Sequence, residues 1–233
     1  MNSSSRFGLI GNPVKGSGSP ALFARAYGGR WPYDLIEGAC FEASWERFLS
    51  GYRAINITAP FKEPAFLRVQ SEGILAPECE AIGAINIAVK APEGIRGFNS
   101  DYLGVKALLS GKGYGPGNVA VVAGFGGAGK AAAAAARSLG MDVVVCNRSR
   151  KADGIRPLED LPALCGICDI LICTLPTAVP QLEGLHFPAI LEADYRNPRL
   201  EHAADNYIPG TEWLLEQART GYALMTGETP FGL

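Results

Sequence analysis

The sequence predicts an α/β protein with two βα domains, the first built on a mostly parallel sheet and the second Rossmann-like. Three observations point there. Short β-rich runs alternate with helical patterns along the chain. Several of those runs are continuously apolar, as strands covered on both faces are. A glycine loop, Gly124-Phe-Gly-Gly-Ala-Gly129, separates one apolar run from an alanine-rich stretch.

In the first hundred residues, 7–10, 33–36, 54–58 and 84–89 read as strands. Ser19-Pro20 opens a helix, since proline is welcome in a first helical turn, and Glu42-Ala-Ser-Trp45 opens another. Residues 102–109 carry a helical pattern that runs into Gly111-Lys-Gly-Tyr-Gly-Pro-Gly117, which composition marks as the candidate boundary between domains. Strands are then expected at 119–123, 142–146, 169–173 and 189–194, with an alanine-rich helix over 127–139. In the tail, Trp213, Leu214, Ala218 and Tyr222 have the spacing of an amphipathic helix able to pack back on either domain. No repeat of fixed period interrupts this order.

Composition narrows the function. The 233 residues are 48% hydrophobic and 19% charged, with 21 basic against 23 acidic side chains. A net charge of -2 supplies no basic field, so nucleic acid and anionic membranes are not the expected partners. The longest apolar run, residues 131–136, sits between Lys130 and Arg137 and is far short of the ~20 residues that span a bilayer. Met1-Asn-Ser-Ser-Ser-Arg6 lacks the features of a secretory leader, which makes a cytoplasmic location the expectation. Of six cysteines only Cys165 and Cys168 have the two-residue gap of a redox or metal pair. No second pair exists, and His186 and His202 stand at no ligand spacing, so structural cysteines and no metal are expected.

The glycine loop fits GxGxxG between an expected strand and an expected helix. Small residues there let backbone approach a pyrophosphate, and the helix N-terminus offers N–H groups and positive partial charge. A tight turn is the plainer alternative. The loop also nearly spells a P-loop, but Ala131 stands where the magnesium-binding hydroxyl belongs, which favours a dinucleotide over a nucleoside triphosphate. About twenty residues on, Cys146-Asn-Arg-Ser-Arg-Lys151 has no acid to take a ribose 2′-hydroxyl. Arg148, Arg150 and Lys151 instead suit a 2′-phosphate, which points to NADP, the alternative being a solvated basic turn.

Three polar segments in the first domain stand near expected strand ends, where ligands bind in such sheets: Ser17-Gly-Ser19-Pro20, Asn56-Ile-Thr58-Ala-Pro-Phe-Lys62-Glu63, and Asn86 with Asn99-Ser-Asp101. Taken singly, Ser19 and Asp101 also read as helix N-caps and Asn56 as a strand-end turn residue.

Together with Gly11-Asn-Pro13, Gly83-Ala-Ile-Asn86, Asn147-Arg-Ser149, Asp194-Tyr-Arg-Asn-Pro198 and Leu214-Leu-Glu-Gln217-Ala218, these segments resemble the shikimate dehydrogenase family over nearly the whole chain. The resemblance implies reversible NADP-linked reduction of 3-dehydroshikimate to shikimate, in the pathway to aromatic amino acids. It implies Lys62 and Asp101 as the catalytic pair. Ser17, Ser19, Asn56, Thr58, Asn86 and Gln217 would hold the substrate, with Tyr195 at the domain cleft. Gly124, Gly126, Gly127, Ala128, Asn147, Arg148 and Arg150 would hold the cofactor. It further implies a substrate domain over residues 1–101, with the 211–233 segment packing back on it, and an NADP domain over 102–210, in a monomer or homodimer.

The chain departs from the family pattern in length. Only 17 residues separate Lys151 from Asp169, where the pattern has room for a helix, a strand and a further helix, so one short helix around 158–164 is the most this segment should form. Cys173-Thr-Leu-Pro176 replaces an Asn-Ala-Thr-Pro-like run, and Asn99-Ser-Asp101 replaces Asn-Thr-Asp. Two rival functions follow: a dehydrogenase for quinate or another cyclic hydroxy acid, against which the serine pair favours shikimate in family terms, and a non-catalytic metabolite-binding protein, against which the retention of both Lys62 and Asp101 speaks.

Overall fold

The computed structural model describes residues 5–149 and 153–233; Arg150 and Lys151 lie outside them. The chain divides into two compact units, Met1–Ser100 with Ala218–Leu233, and Asp101–Gln217.

The first unit contains β1 (Phe7–Gly11), α1 (Ser19–Tyr27), β2 (Tyr33–Glu37), α2 (Phe41–Gly51), β3 (Ala54–Ile57), α3 (Lys62–Glu72), β4 (Ile74–Leu75), α4 (Pro77–Ile82), β5 (Ile87–Ala91) and β6 (Gly94–Phe98). Its sheet runs β2-β1-β3-β5-β6-β4. β1 pairs in parallel with β2 and β3, and β4 with β6, while β5 is antiparallel to both neighbours. The reversal has a local cause. Only Pro92 and Glu93 separate β5 from β6, too short a link for a parallel crossover, and Gly94 at φ 128° completes the turn. The strand expected at 84–89 runs over Ile87–Ala91, leaving Ala84-Ile-Asn86 as its lead-in.

All five β1 residues are buried, and its alternation feeds two cores. Ile10 joins Ile36, Trp45, Phe48, Ile55 and Phe66 on one face, and Phe7 joins Phe23, Tyr27 and Trp31 on the other. Ala218, Tyr222 and Met225, on the last part of α8 (Gly210–Thr226, below), complete the second cluster. The chain end is tied to α1, with the N–H groups of Phe231 and Gly232 donating to the Ala26 carbonyl.

The second unit begins within α5 (Ser100–Gly111) and continues through β7 (Val119–Ala123), α6 (Gly127–Ser138), β8 (Asp142–Cys146), β9 (Ile155–Arg156), α7 (Leu161–Cys165), β10 (Ile170–Cys173), β11 (Phe187–Glu192), β12 (Ala204–Pro209) and the first part of α8. Short 3-10 turns lie at Leu158–Asp160, Pro180–Leu182 and Glu201–Ala203. The six strands are all parallel in the order β12-β11-β10-β7-β8-β9, with the order reversing between β7 and β10. Small side chains let α6 lie close to this sheet: Ala131, Ala132, Ala133, Ala135 and Ala136 are all fully buried.

The glycine-rich turn at 111–117, read from composition as a boundary, lies inside the second unit, because it joins α5 to β7 and both belong there. The shortened segment forms a two-residue strand, one 3-10 turn and the five-residue α7.

Candidate active site

In the first unit, register gathers the polar segments at one edge of the sheet. β1, β2 and β3 are parallel, so Gly11, Glu37 and Ile57 end together. β5 runs the other way, which brings its start to the same edge, and β6 returns its end there, since Ile87 lies opposite both Asn56 and Phe98. The loop after β1, the β3–α3 connection, Asn86 and Asn99-Ser100 are thus neighbours by topology.

Each is pinned by identifiable bonds. The Glu37 carboxylate accepts the N–H groups of Val14 and Lys15 at 3.2 and 3.3 Å, holding the loop that carries Ser17. Ser17 Oγ donates to Ser19 Oγ at 3.0 Å and accepts the Ser19 N–H at 3.3 Å. Ser19 is the first residue of α1, after the cap position Gly18, so the N-cap alternative fails and its hydroxyl bonds elsewhere. Asn56 lies within β3 and not in a turn, with Oδ1 accepting the Tyr33 hydroxyl at 2.8 Å. Thr58 is fixed by its N–H to the Ile10 carbonyl at 2.9 Å. Asn86 is 5% exposed and its Oδ1 accepts Ser100 N–H at 2.7 Å and Ser100 Oγ at 3.2 Å. Asn99 Nδ2 donates to the Ala84 carbonyl at 3.0 Å.

Lys62 is half-buried at the first position of α3, and its carbonyl accepts the Ile85 N–H. A cation at the positive end of a helix is a placement that local electrostatics disfavours, the kind of exception found at working sites. Asp101 is the second residue of α5, inside the first turn and not at a cap position.

In the second unit, β7 leads into Gly124 at φ 108°, a backbone region that side chains rarely adopt. A Cβ at Gly124 would meet Thr174 Oγ1 at 2.4 Å, and one at Gly129 would meet the Gly124 carbonyl oxygen at 2.1 Å. Around Gly126 and Gly127 there is open space. Gly127, Ala128 and Gly129 open α6, whose first N–H groups have no acceptor within the helix. This is a fit for a pyrophosphate, by room, by donors and by dipole. Asn147 follows β8 at the same carboxyl edge; its Nδ2 donates to the Ser149 carbonyl at 2.9 Å. The exposed Arg148 reaches Thr177 Oγ1 at 3.4 Å. Thr174, in the altered Cys-Thr-Leu-Pro run, bonds the Ala123 carbonyl through both N–H and hydroxyl, so the run stays clamped to the glycine loop.

Tyr195 is 40% exposed, on the loop between β11 and β12; Gln217, half-buried, lies in α8 where its backbone is in contact distance of Gly104. Sequence reading missed Glu192. This carboxylate is 2% exposed, accepts the N–H groups of Arg199 and Leu200 at 3.0 Å and the Tyr207 hydroxyl at 2.8 Å, and so closes the loop carrying Tyr195. An acid ending the apolar run Phe187-Pro-Ala-Ile-Leu is too ordinary a pattern to single it out. Beside it is a cavity of about 390 Å³ lined in part by Cys173, Thr177, Leu182, Arg199 and Leu200. All six cysteines are free thiols, and among the described residues no cluster of three or more His, Cys, Asp or Glu is placed to hold a metal. No described helix is long and apolar enough to cross a membrane.

A parallel sheet with the Rossmann strand order and a glycine loop at its switch point defines a dinucleotide-binding unit, here joined to a second α/β unit with a polar sheet edge. No protein-family profile matches the chain. The chain is 30% identical to the shikimate dehydrogenase (NADP(+)) of Archaeoglobus fulgidus, over 96% of its own length and 93% of that protein's. The shikimate 5-dehydrogenase of Thermus thermophilus, solved with NADP(H) and shikimate, superposes with a TM-score of 0.80 at 25% identity, over 98% of this chain and 95% of that one. The quinate dehydrogenase of Corynebacterium glutamicum in complex with NAD gives 0.85 at 21% identity, covering 99% and 96%, a likeness of fold alone. The chain belongs to the shikimate dehydrogenase family.

Proposed function

We propose that this chain catalyses the reversible NADP-dependent reduction of 3-dehydroshikimate to shikimate, as a cytoplasmic monomer or homodimer, with Lys62 and Asp101 as the catalytic pair. Bound NADPH supplies the hydride. Reducing a ketone this way leaves negative charge on its oxygen, and a proton donor at that oxygen lowers the barrier. Lys62 donates that proton in reduction and takes it back in oxidation. Asp101 orients the Lys62 ammonium and a substrate hydroxyl.

Ser17 and Ser19 take the substrate carboxylate through their hydroxyls. Asn56, Thr58, Asn86 and Gln217 hold the ring hydroxyls, and Tyr195 closes on the reacting end. Gly124, Gly126, Gly127 and Ala128 cradle the pyrophosphate, while Asn147, Arg148 and Arg150 take the adenosine ribose and its 2′-phosphate. The observation that carries this reading is the convergence of the serine pair, both asparagines and Lys62 on one sheet edge, in a chain of this family.

The test is nicotinamide reduction followed at 340 nm, with shikimate or quinate and with NADP or NAD. Turnover of shikimate with NADP preferred is the expected result; quinate used equally well would reassign the substrate. Lys62→Ala should lower kcat by about 10²- to 10⁴-fold while shikimate affinity, measured by calorimetry, changes little. Undiminished turnover in that variant would remove Lys62 from the proton step, and shikimate binding without any turnover in the parent would favour a binding protein.

A further inference from the structure

Tyr33 was not among the residues that motif or resemblance picked out, yet its hydroxyl touches one of them, Asn56. It donates to Asn56 Oδ1 at 2.8 Å. The Tyr33 ring is held from behind, its centroid 4.8 Å from that of Phe23 and 6.4 Å from that of Tyr222. Burial keeps the Tyr33 phenol well above its ordinary pKa, so it remains a donor throughout the working pH range.

An asparagine amide can present either its oxygen or its two N–H groups to a ligand, and a neighbouring donor decides which. With Oδ1 held by the phenol, the N–H groups of Asn56 face away from Tyr33 and offer donors to a hydroxyl oxygen. We propose that Tyr33 is a positioning residue for the substrate: it locks the Asn56 amide in its donor orientation. This rests on the assignment of Asn56 to the substrate.

A double-mutant cycle tests it. Tyr33→Phe keeps the packed ring and removes only the hydroxyl. It should raise the KM for shikimate about tenfold, the size expected when one hydrogen-bond partner is lost. The KM for NADP and kcat should stay within about threefold, within the spread of interactions that do not change in the transition state. In an Asn56→Ala background the same substitution should change the shikimate KM less than about twofold, because the group it acts through is gone. An equal rise in both backgrounds, or a fall in kcat with KM unchanged, overturns the proposal. An Asn56→Ala variant with parental shikimate KM overturns the site assignment itself, and the proposal with it.

Discussion

Gly129 shows how a single position can override local preference. It sits in the first turn of α6, where alanine would gain about 1 kcal/mol of helix propensity. A Cβ there, however, would lie 2.1 Å from the Gly124 carbonyl oxygen, which is backbone and has no rotamer to turn away. Gly129→Ala is therefore expected to lose stability, by about 1–3 kcal/mol of overpacking, and to raise the KM for NADP. Urea denaturation and initial rates check both; unchanged values would mean that helix and strand can separate freely. At this scale the sequence marked the glycines, Lys62 and the serine and asparagine segments by residue type and spacing. It did not mark Tyr33 or Glu192, because a tyrosine opening a strand and an acid ending one look ordinary until their partners, Asn56 at 2.8 Å and the Arg199-Leu200 backbone, are brought from elsewhere in the chain.

Among elements, the end of β8 is where the proposed 2′-phosphate contact lies. No acid follows the strand, and Asn147 is fixed by its bonds to Ser149, leaving Arg148 as the described cation on the exposed side of that turn. Charge-assisted bonds to a phosphate are worth roughly 1.5–3 kcal/mol. Arg148→Ser should thus raise the KM for NADP by about tenfold or more while leaving that for NAD unchanged, a comparison steady-state kinetics makes directly. Equal loss with both cofactors would place Arg148 away from the 2′-phosphate. Most strands and helices were legible from apolar period and turn residues. Those that were not include the short β4, β9 and α4, the strands β6 and β12, and the eleven-residue α3 that carries Lys62; β5 was read, but its direction is set by the two-residue link to β6. The expected boundary at 111–117 misled because a glycine-rich turn looks the same within a unit as between two.

For the whole molecule, burial of thiols sets a limit on alkaline stability. Cys79 is pushed up to about 12, and Cys146, Cys168 and Cys173 to about 11, in each case mainly by burial. Their folded values exceed their unfolded ones, so folding favours the neutral thiol. The resulting stabilisation is complete below the unfolded value near 9 and is lost as pH rises from there through the folded values. The urea midpoint should accordingly hold steady to about pH 8.5 and fall between pH 9 and 11, less steeply in a Cys146→Ala, Cys173→Ala variant; a flat profile would mean these thiols are hydrated. By itself the sequence determined the fold class, the family, the glycine loop and the residue types available for proton transfer and for anion binding, since these depend on period, spacing and side-chain chemistry. Only the tertiary structure decided which strand edge those groups share, how the Asn56 and Asn86 amides are turned, and that Glu192 closes the Tyr195 loop. Those outcomes depend on strand register and on hydrogen bonds between residues distant in the chain, and a register shift of one residue would send every such side chain to the opposite face of the sheet.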